Sequence, residues 1–271
     1  MSGNCPAPAP GQVKNATGAT QRVSLVVPVF NEEDNLERLH VEVRQAMETT
    51  GLPWELILVN DGSTDASAVV LDRLVAADSR LRVLHMETRS GQTGALAAGF
   101  AAARGDVVVT LDGDLQNDPA DIPRLLQALS AAGAVVGWRR RRLDGWLRRL
   151  SSGIANWARN MVTGDRVKDT GCSLKAFRGE VVRGLLVSRG MHRFLPTLVR
   201  MRGYPVVEIP VNHRPRHAGQ SKYGIANRLF VGLGDLFMIR WMKSRVLTYR
   251  VVREAGAGLP LAGDRYEEVR R

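Results

Sequence analysis

The sequence has few cysteines and no long hydrophobic run. Its 271 residues include two cysteines, Cys5 and Cys172. Two cysteines so far apart give neither a disulfide framework nor the spacing of a zinc site, so we expect reduced thiols and a cytoplasmic protein. No apolar stretch approaches the ~20 residues that a membrane-spanning helix needs. The longest, LFVGLGDLFMI at 229–239, is interrupted by Asp235.

The glycine-rich loops that bind phosphates in two large protein classes are also absent. No GxGxxG follows the first hydrophobic run, and no GxxxxGK[ST] occurs in the chain. These loops are typical of dinucleotide-binding and P-loop proteins, so both classes lose support. Residues 1–21 are rich in Pro, Gly, Ala, Asn and Thr. They lack the apolar core of a signal peptide, and we expect a disordered tail.

Acidic and basic residues are unevenly distributed along the chain. Residues 1–137 hold 10 basic and 17 acidic residues, a net charge of −7, whereas residues 138–253 hold 25 and 6, a net charge of +19. The acidic half suits a metal and sugar hydroxyls, and the basic half suits phosphates, a nucleic acid or an anionic lipid surface. Arginine-rich surfaces also arise from genome composition, so charge alone leaves the partner open. Few aromatics interleave the arginines, which argues against nucleic acid.

The hydrophobic pattern predicts an α/β fold. Four short apolar runs, at 23–29, 54–60, 81–86 and 106–111, are each followed by helical spacing. This alternation predicts a mostly parallel sheet with helices on both faces. Ligands of such sheets bind beyond the carboxyl ends of the strands. A strand is also predicted at 134–138, beyond which the chain becomes arginine-rich, with a further strand at 204–211 and an apolar helix from about 225.

Acidic clusters follow three of these runs. In LDGDLQNDP at 111–119, Asp112 and Asp114 flank Gly113, so alternation places both carboxylates on one side of the strand. Such a pair suits a hard divalent cation that bridges the phosphates of a nucleotide diphosphate. The alternative is an acidic turn that caps the next helix. PVFNEED at 28–34 and NDGSTD at 60–65 end the first two runs and favour ligand contacts for Glu32 and Asp61.

These motifs, with SGQTGALAAGFAAARGD at 90–106, resemble those of family-2 glycosyltransferases with a GT-A fold. GWR at 137–139, DTGCSLKAFR at 169–178 and RHAGQSKYG at 216–224 resemble the branch of dolichol-phosphate mannosyltransferases and bactoprenol (undecaprenyl-phosphate) glycosyltransferases. The match covers about residues 22–245. It implies inverting transfer of a sugar from a nucleotide-sugar donor, a UDP-sugar or GDP-mannose, to a polyprenyl phosphate acceptor. The DLQND and GQT segments favour a UDP-sugar.

The resemblance also implies a Mg²⁺ or Mn²⁺ cofactor and a role for individual residues. The metal ligands are Asp114 and Gln116. The nucleotide contacts are Pro28, Val29, Asn31, Glu32, Asp61, Asp112 and Gly113. The donor or acceptor phosphate contacts are Arg139, Arg148, Arg149, Arg216, Ser221 and Lys222. The catalytic set within these is Asp112, Asp114, Arg139, Arg148, Arg216 and Lys222.

One position departs from the pattern of the family. Relatives often have an arginine in the segment that corresponds to SSGIAN at 151–156, where this chain has Gly153. The choice between Arg148, Arg149 and a lost contact therefore stays open.

The chain divides into four parts on this interpretation. They are a disordered tail at 1–21, a GT-A catalytic domain at 22–224, an amphipathic membrane-associated helical segment at 225–253 and a flexible tail at 254–271. Basic residues and Trp241 flank the apolar helix and suit lipid headgroups, which predicts peripheral attachment to the anionic cytoplasmic face of the membrane. An apolar stripe at helical spacing is equally typical of a core helix.

Two other functions remain open from the sequence. A family-2 enzyme that glycosylates a polysaccharide or glycolipid hydroxyl needs a carboxylate base, for which Asp169 is the one candidate. A non-enzymatic binder of nucleic acid or anionic membranes would explain the basic half of the chain, but it does not explain the acidic residues at the strand ends.

Overall fold

A computed structural model describes residues 21–130, 132–139, 167–183, 190–215 and 225–245, with single positions 161, 164, 185 and 188. For 225–233 it describes the backbone helix alone. The described residues form a seven-stranded sheet. Its strands are β1 (Val23–Val29), β2 (Trp54–Asn60), β3 (Leu81–His85), β4 (Val107–Thr110), β5 (Ala134–Arg139), β6 (Lys175–Arg178) and β7 (Val206–Val211).

The sheet is mostly parallel, as the alternation predicted. Its strand order is β3-β2-β1-β4-β6-β5-β7. The pairs β1–β2, β1–β4, β2–β3 and β5–β7 are parallel, and β6 runs antiparallel to both of its neighbours. The β1–β2 pairing ends at Val29 opposite Asn60. The two polar motifs that follow these strands therefore begin side by side.

Helices cover both faces of the sheet. They are α1 (Leu36–Glu48), α2 (Ser67–Ala77), α3 (Gly91–Ala102), α4 (Ile122–Leu129), α5 (Gly179–Arg183), α6 (Leu195–Met201) and α7 (Ile225–Ser244). The sequence predicts a helix after the run at 23–29, and the structure begins this helix, α1, only at Leu36. The preceding residues form a loop instead, because the backbone N–H of Asn31 donates to Ser63 Oγ and that of Glu32 donates to Ser67 Oγ.

The core has one apolar cluster on each face of the sheet. Residues of α1, α2 and α4 pack on one face, and residues of α3, α5, α6 and α7 pack on the other. The second face requires a close approach at Gly99 of α3, where a Cβ atom would lie 2.2 Å from Val26 Cγ1. Any larger residue would push α3 away from β1. Gly99 therefore allows α3 to pack closely on β1. The first turn of α3 lies at the carboxyl edge of the sheet.

Among the described side chains of α7, from residue 234 onward, those on one side pack on this second face. Ile239 is fully buried in the second cluster, and Leu236 and Met242 pack against it. The carboxylate of Asp235 lies against Gly190, where a Cβ atom would come within 2.5 Å of its Oδ2. The opposite side presents Phe237, which is 75% exposed, and Trp241, which is 56% exposed. In the part of the chain that the structure describes, no helix is both long and apolar enough to cross a membrane.

Candidate active site

The loops after β1 and β2 are joined by hydrogen bonds. Asn31 lies in the left-handed region, with φ of 55°. Its Oδ1 accepts from the backbone N–H of Thr64 at 2.8 Å, and its Nδ2 donates to Thr64 Oγ1 at 3.0 Å. PVFNEED and NDGSTD thus form one unit at the carboxyl edge of the sheet. The side chain of Val29 is fully buried, so any ligand contact of Val29 would be made by its backbone.

Asp61 binds the start of α3. Its Oδ1 accepts from the N–H of Ser90 at 2.6 Å, and its Oδ2 accepts from the N–H of Gly91 at 2.8 Å. A helix N-terminus has unpaired N–H groups that attract anions, and the buried carboxylate of Asp61 accepts from two N–H groups at the start of α3. The structure therefore gives Asp61 a positioning role at the predicted nucleotide site. Direct contact with a nucleoside stays a prediction.

The residues Asp112, Gly113 and Asp114, which we call the DGD motif, lie next to these loops. Gln92, in the first turn of α3, donates through Nε2 to Asp112 Oδ1 at 2.8 Å. A Cβ atom on Gly113 would lie 3.5 Å from the carbonyl oxygen of Pro28 and 3.6 Å from Glu32 Cγ. The structure thus brings together the strand ends of β1 and β4, as their acidic residues predicted.

A strained turn carries Asp114 and Gln116. Leu115, between them, has φ of 59° and is buried. This conformation costs a leucine about 1 kcal/mol or more, and tertiary packing must hold it. Asp114 Oδ1 accepts from the N–H of Gln116 at 3.1 Å, which closes the turn. The two predicted metal ligands are therefore fixed close to each other.

The electrostatics of the motif suit a cation. Burial, and secondly the charge of Asp114, raise the pKa of Asp112 to about 6. A divalent cation would relieve this repulsion, and the two carboxylates with the Gln116 amide offer the oxygen ligands that Mg²⁺ and Mn²⁺ prefer. Within the described ranges, no group of three or more His, Cys, Asp or Glu side chains is arranged to hold a metal. A cation here would therefore need further oxygens from substrate phosphates and water, as is usual for Mg²⁺.

Arg139, at the end of β5, forms a bidentate ion pair. Its Nε donates to Asp169 Oδ2 at 2.7 Å, and an Nη donates to Asp169 Oδ1 at 3.0 Å. Arg139 thus engages both carboxylate oxygens of Asp169. Asp169 is the one candidate for the carboxylate base that a hydroxyl acceptor would need. The predicted phosphate contact of Arg139 stays a prediction, since Asp169 engages part of its guanidinium group in this structure.

Arg214, in the segment after β7, binds the loop of the DGD motif. Its backbone N–H donates to the carbonyl oxygen of Gln116 at 2.9 Å. Its guanidinium donates to Glu42 Oε2 at 2.6 Å and to Asp118 Oδ1 at 2.7 Å. We call these contacts the Arg214 clamp. The predicted phosphate loop RHAGQSKYG starts two residues later, at 216.

Three residues of this site were not among the predicted ones. Gln92 was within a quoted motif, and its amide was a usable signal. Arg214 carried none, because it is one of many arginines in a basic segment. Lys175 interrupts the apolar context of LKAF in β6 and is only 4% exposed. A lysine inside an apolar strand was a signal that sequence reasoning passed over.

Several predicted residues lie outside the described part of the chain. They are Arg148, Arg149, Arg216, Ser221 and Lys222. Their assignment to phosphate stays a prediction, and so does the choice between Arg148 and Arg149.

Comparison with known proteins places the chain in a family. The model of glycosyl transferase family 2 matches residues 24–183. The chain belongs to this family. The predicted enzyme class, a glycosyltransferase, is thereby confirmed, and the non-enzymatic alternative is set aside.

Two curated relatives of this family-2 glycosyltransferase are similar over most of the chain. The dodecaprenyl-phosphate galacturonate synthase of Rhizobium johnstonii is 39% identical over 88% of this chain and 72% of its own length. The undecaprenyl-phosphate 4-deoxy-4-formamido-L-arabinose transferase of Edwardsiella ictaluri is 40% identical over 76% of this chain. The aligned part is 64% of that second relative, so the chain spans less than two thirds of its length.

Solved structures confirm the GT-A type of fold. The glucosyl-3-phosphoglycerate synthase of Mycobacterium tuberculosis, in complex with Mn²⁺, uridine diphosphate and phosphoglyceric acid, superposes with a TM-score of 0.63. It is 21% identical to this chain, and the superposition covers 90% of this chain and 86% of the synthase chain. A mannosyltransferase of Pyrobaculum calidifontis, in complex with GDP-Man and Mn²⁺, superposes with a TM-score of 0.58 at 20% identity. The superposition covers 88% of this chain and 66% of the mannosyltransferase chain. At these identities the likeness establishes the fold alone.

Proposed function

We propose that this glycosyltransferase transfers a sugar from a nucleotide diphosphate sugar to a polyprenyl phosphate. The observation that carries the proposal is the Arg214 clamp, which holds Arg214, two residues before the basic RHAGQSKYG segment, against the loop of the DGD motif. A donor site and a second phosphate site would thus be adjacent. The two curated relatives, whose names specify dodecaprenyl and undecaprenyl phosphate, support a lipid phosphate as the acceptor.

The donor site would be the carboxyl edge of β1, β2 and β4. Asp114 and Gln116, with Asp112 beside them, would hold Mg²⁺ or Mn²⁺. When bound, the cation would neutralise donor phosphates and the charge on the departing nucleoside diphosphate. The joined loops after β1 and β2 would hold the nucleoside through Asn31, Glu32 and the backbone beside Pro28. The donor would be a UDP-sugar or GDP-mannose, and the DLQND and GQT segments favour UDP.

The acceptor needs positioning more than deprotonation. A phosphate monoester has a second pKa of about 6, so it is largely ionised at neutral pH and needs no strong base. Its oxygen would attack the anomeric carbon in line with the departing nucleoside diphosphate, which inverts the configuration. Arginine forks suit phosphate oxygens, and Arg139, Arg216 and Lys222 are the proposed contacts. The engagement of Asp169 by Arg139 argues against a hydroxyl acceptor, which needs an available carboxylate base.

A direct assay tests this function. Purified protein is incubated with Mn²⁺, a panel of UDP- and GDP-sugars and a short polyprenyl phosphate, and lipid products are identified by mass spectrometry. We expect a polyprenyl-phosphate sugar with at least one donor. The matched control acceptor is the corresponding polyprenol, which lacks the phosphate. Transfer to the polyprenol at a similar rate would refute the phosphate-acceptor proposal.

A membrane surface would present such an acceptor to the exposed side of α7. Phe237 and Trp241 lie one helical turn apart and, with Met161, line an open groove of about 500 Å³. Arg240 and Lys243 line the same groove, and the guanidinium carbon of Arg245 lies over the Trp241 ring, 6.0 Å from its centroid. Exposed aromatics with flanking cations suit the headgroup region of an anionic membrane. We therefore propose peripheral attachment through this side of α7.

The exposed side of α7 can be changed without disturbing the core. The double variant Phe237→Asp, Trp241→Asp is expected to bind anionic vesicles at least about tenfold more weakly, since it loses apolar insertion and gains two repelling charges. Its circular-dichroism spectrum should be unchanged, because both side chains are exposed. Vesicle sedimentation at low and high salt measures the binding.

The matched control places the same charges on other exposed apolar positions. Val41 and Val69 are 39% and 72% exposed on α1 and α2, and the variant Val41→Asp, Val69→Asp should sediment with vesicles nearly as the wild type does. Wild-type protein that ignores anionic vesicles at low salt would count against membrane attachment. An equal loss in the control would assign the effect to net charge.

A further inference from the structure

Lys175 is a buried lysine in the middle of the sheet. It begins β6, pairs with Thr110 of β4 on one side and with Val136 of β5 on the other, and is only 4% exposed. Its ammonium group donates to the carbonyl oxygen of Cys172. Burying an ammonium group is costly, and an apolar residue would fill a central strand position at less cost. The charge itself therefore calls for an explanation.

The position of Lys175 places that charge beneath the DGD motif. Continuing the antiparallel register from Thr110 and Lys175 brings Asp112 opposite Ser173. Ser173 Oγ donates to Asn117 Oδ1, and the N–H of Asp112 donates to the same oxygen at 3.4 Å. Burial raises the pKa of Asp112 and lowers the pKa of Lys175, and the charge of each group acts on the pKa of the other in the opposite direction. The lysine thus lies within electrostatic reach of Asp112.

The charge of Lys175 opposes the charges of the motif. Arg139 and Asp169 form a bidentate pair, so neither is an isolated charge beside the motif. Asp112 and Asp114 would attract a divalent cation, and the ammonium group of Lys175 offsets part of this negative charge. With a cation bound, the same ammonium group would add one positive charge to a site that would hold a diphosphate. Removal of the lysine would make the site one charge more negative, with or without the cation.

We propose that Lys175 is an electrostatic positioning residue of the donor site, which disfavours the free cation and favours the nucleoside diphosphate bound together with the cation. The proposal rests on the proposed function, since it takes the DGD motif as the donor site. Removal of the charge should therefore change the affinity for the free cation and the affinity for the nucleoside diphosphate in opposite directions, because a positive charge repels a cation and attracts an anion. A purely structural role would weaken both affinities together, since a disordered motif holds neither ligand well.

Two binding measurements separate these cases. Mn²⁺ alone is titrated by electron paramagnetic resonance at pH 8, and UDP and GDP are titrated by calorimetry at saturating Mn²⁺. The main variant is Lys175→Gln, which removes the charge and keeps an N–H donor for the carbonyl of Cys172. We expect Mn²⁺ alone to bind about tenfold more tightly, and the preferred nucleoside diphosphate to bind about tenfold more weakly.

Further variants serve as controls. Lys175→Arg keeps the charge and should stay near the wild type in both affinities. Lys175→Met removes both charge and donor, and should show the same opposite shifts if Lys175→Gln is too unstable to purify. Arg44→Gln removes one charge from the surface of α1, where Arg44 is 42% exposed, and should change either affinity less than twofold.

The outcomes discriminate clearly. Opposite shifts in a neutral variant, with Lys175→Arg unchanged, support the proposal. Joint weakening of both ligands, or no change in either, overturns it and leaves the proposed function standing. Wild-type protein that binds neither Mn²⁺ nor a nucleoside diphosphate overturns the proposed donor site and the role of Lys175 together.

Discussion

Replacement of Asp114 with alanine is expected to lower turnover by about 10³-fold or more. Removal of a single preorganised group that stabilises transition-state charge commonly costs 10²–10³-fold, and Asp114 is a proposed ligand of the cation itself. Its side chain lies in the turn that also fixes Gln116. Asp114→Asn, which retains an oxygen for that turn but has no charge, should lose nearly as much activity, and both variants should keep the wild-type fold.

The measurement is the initial rate of lipid-sugar formation with and without EDTA. Chelation of the wild type should reduce the rate to the level of Asp114→Ala, and added Mn²⁺ or Mg²⁺ should restore it. Asp106→Asn is a matched control, because Asp106 lies at the opposite end of β4 and binds the N–H of Arg22 at 2.9 Å. It should have wild-type activity. Full activity of the wild type in EDTA would contradict the assignment of Asp114 and Gln116 as ligands of a catalytic cation.

Replacement of Arg214 with glutamine is expected to lower turnover by about 10²-fold. The Arg214 clamp holds the chain two residues before the RHAGQSKYG loop, and a misplaced catalytic group commonly costs about this factor. Glu42 and Asp118 would lose a partner in a partly buried setting, which should destabilise the fold by about 2 kcal/mol. The KM for the acceptor should rise more than that for the donor, because the loop is proposed to contact the acceptor phosphate.

Steady-state kinetics and urea denaturation check this prediction together. Arg38→Gln is the matched control, because Arg38 also binds Glu42, at 2.8 Å, but is 49% exposed on the surface of α1. Exposed pairs of this spacing contribute about 0.3–0.5 kcal/mol, so the control should lose little stability and no activity. If Arg214→Gln behaved like Arg38→Gln, the clamp would have no part in positioning the loop.

The sequence by itself determined the α/β fold and the edge of the sheet where the site lies. Strand and helix periods are local properties, and the polar residues just after a strand must appear at its carboxyl end. The acidic residues that follow parallel strands, such as Asp112, Glu32 and Asp61, are therefore expected at the same edge of the sheet. Alternation does not determine the strand order, so the tertiary structure decided which of these strand ends are neighbours.

Tertiary structure alone decided how the charges of the site are connected. Arg214 meets Glu42 across 172 positions of the chain, and Asp61 binds the first turn of α3 across about 30. The antiparallel β6, inserted between β4 and β5, carries Lys175 under the DGD motif. Ile239 and Phe237 of α7 are both apolar residues, yet Ile239 is buried and Phe237 is exposed. Local periodicity carries no information on such contacts, because each depends on which distant element packs alongside.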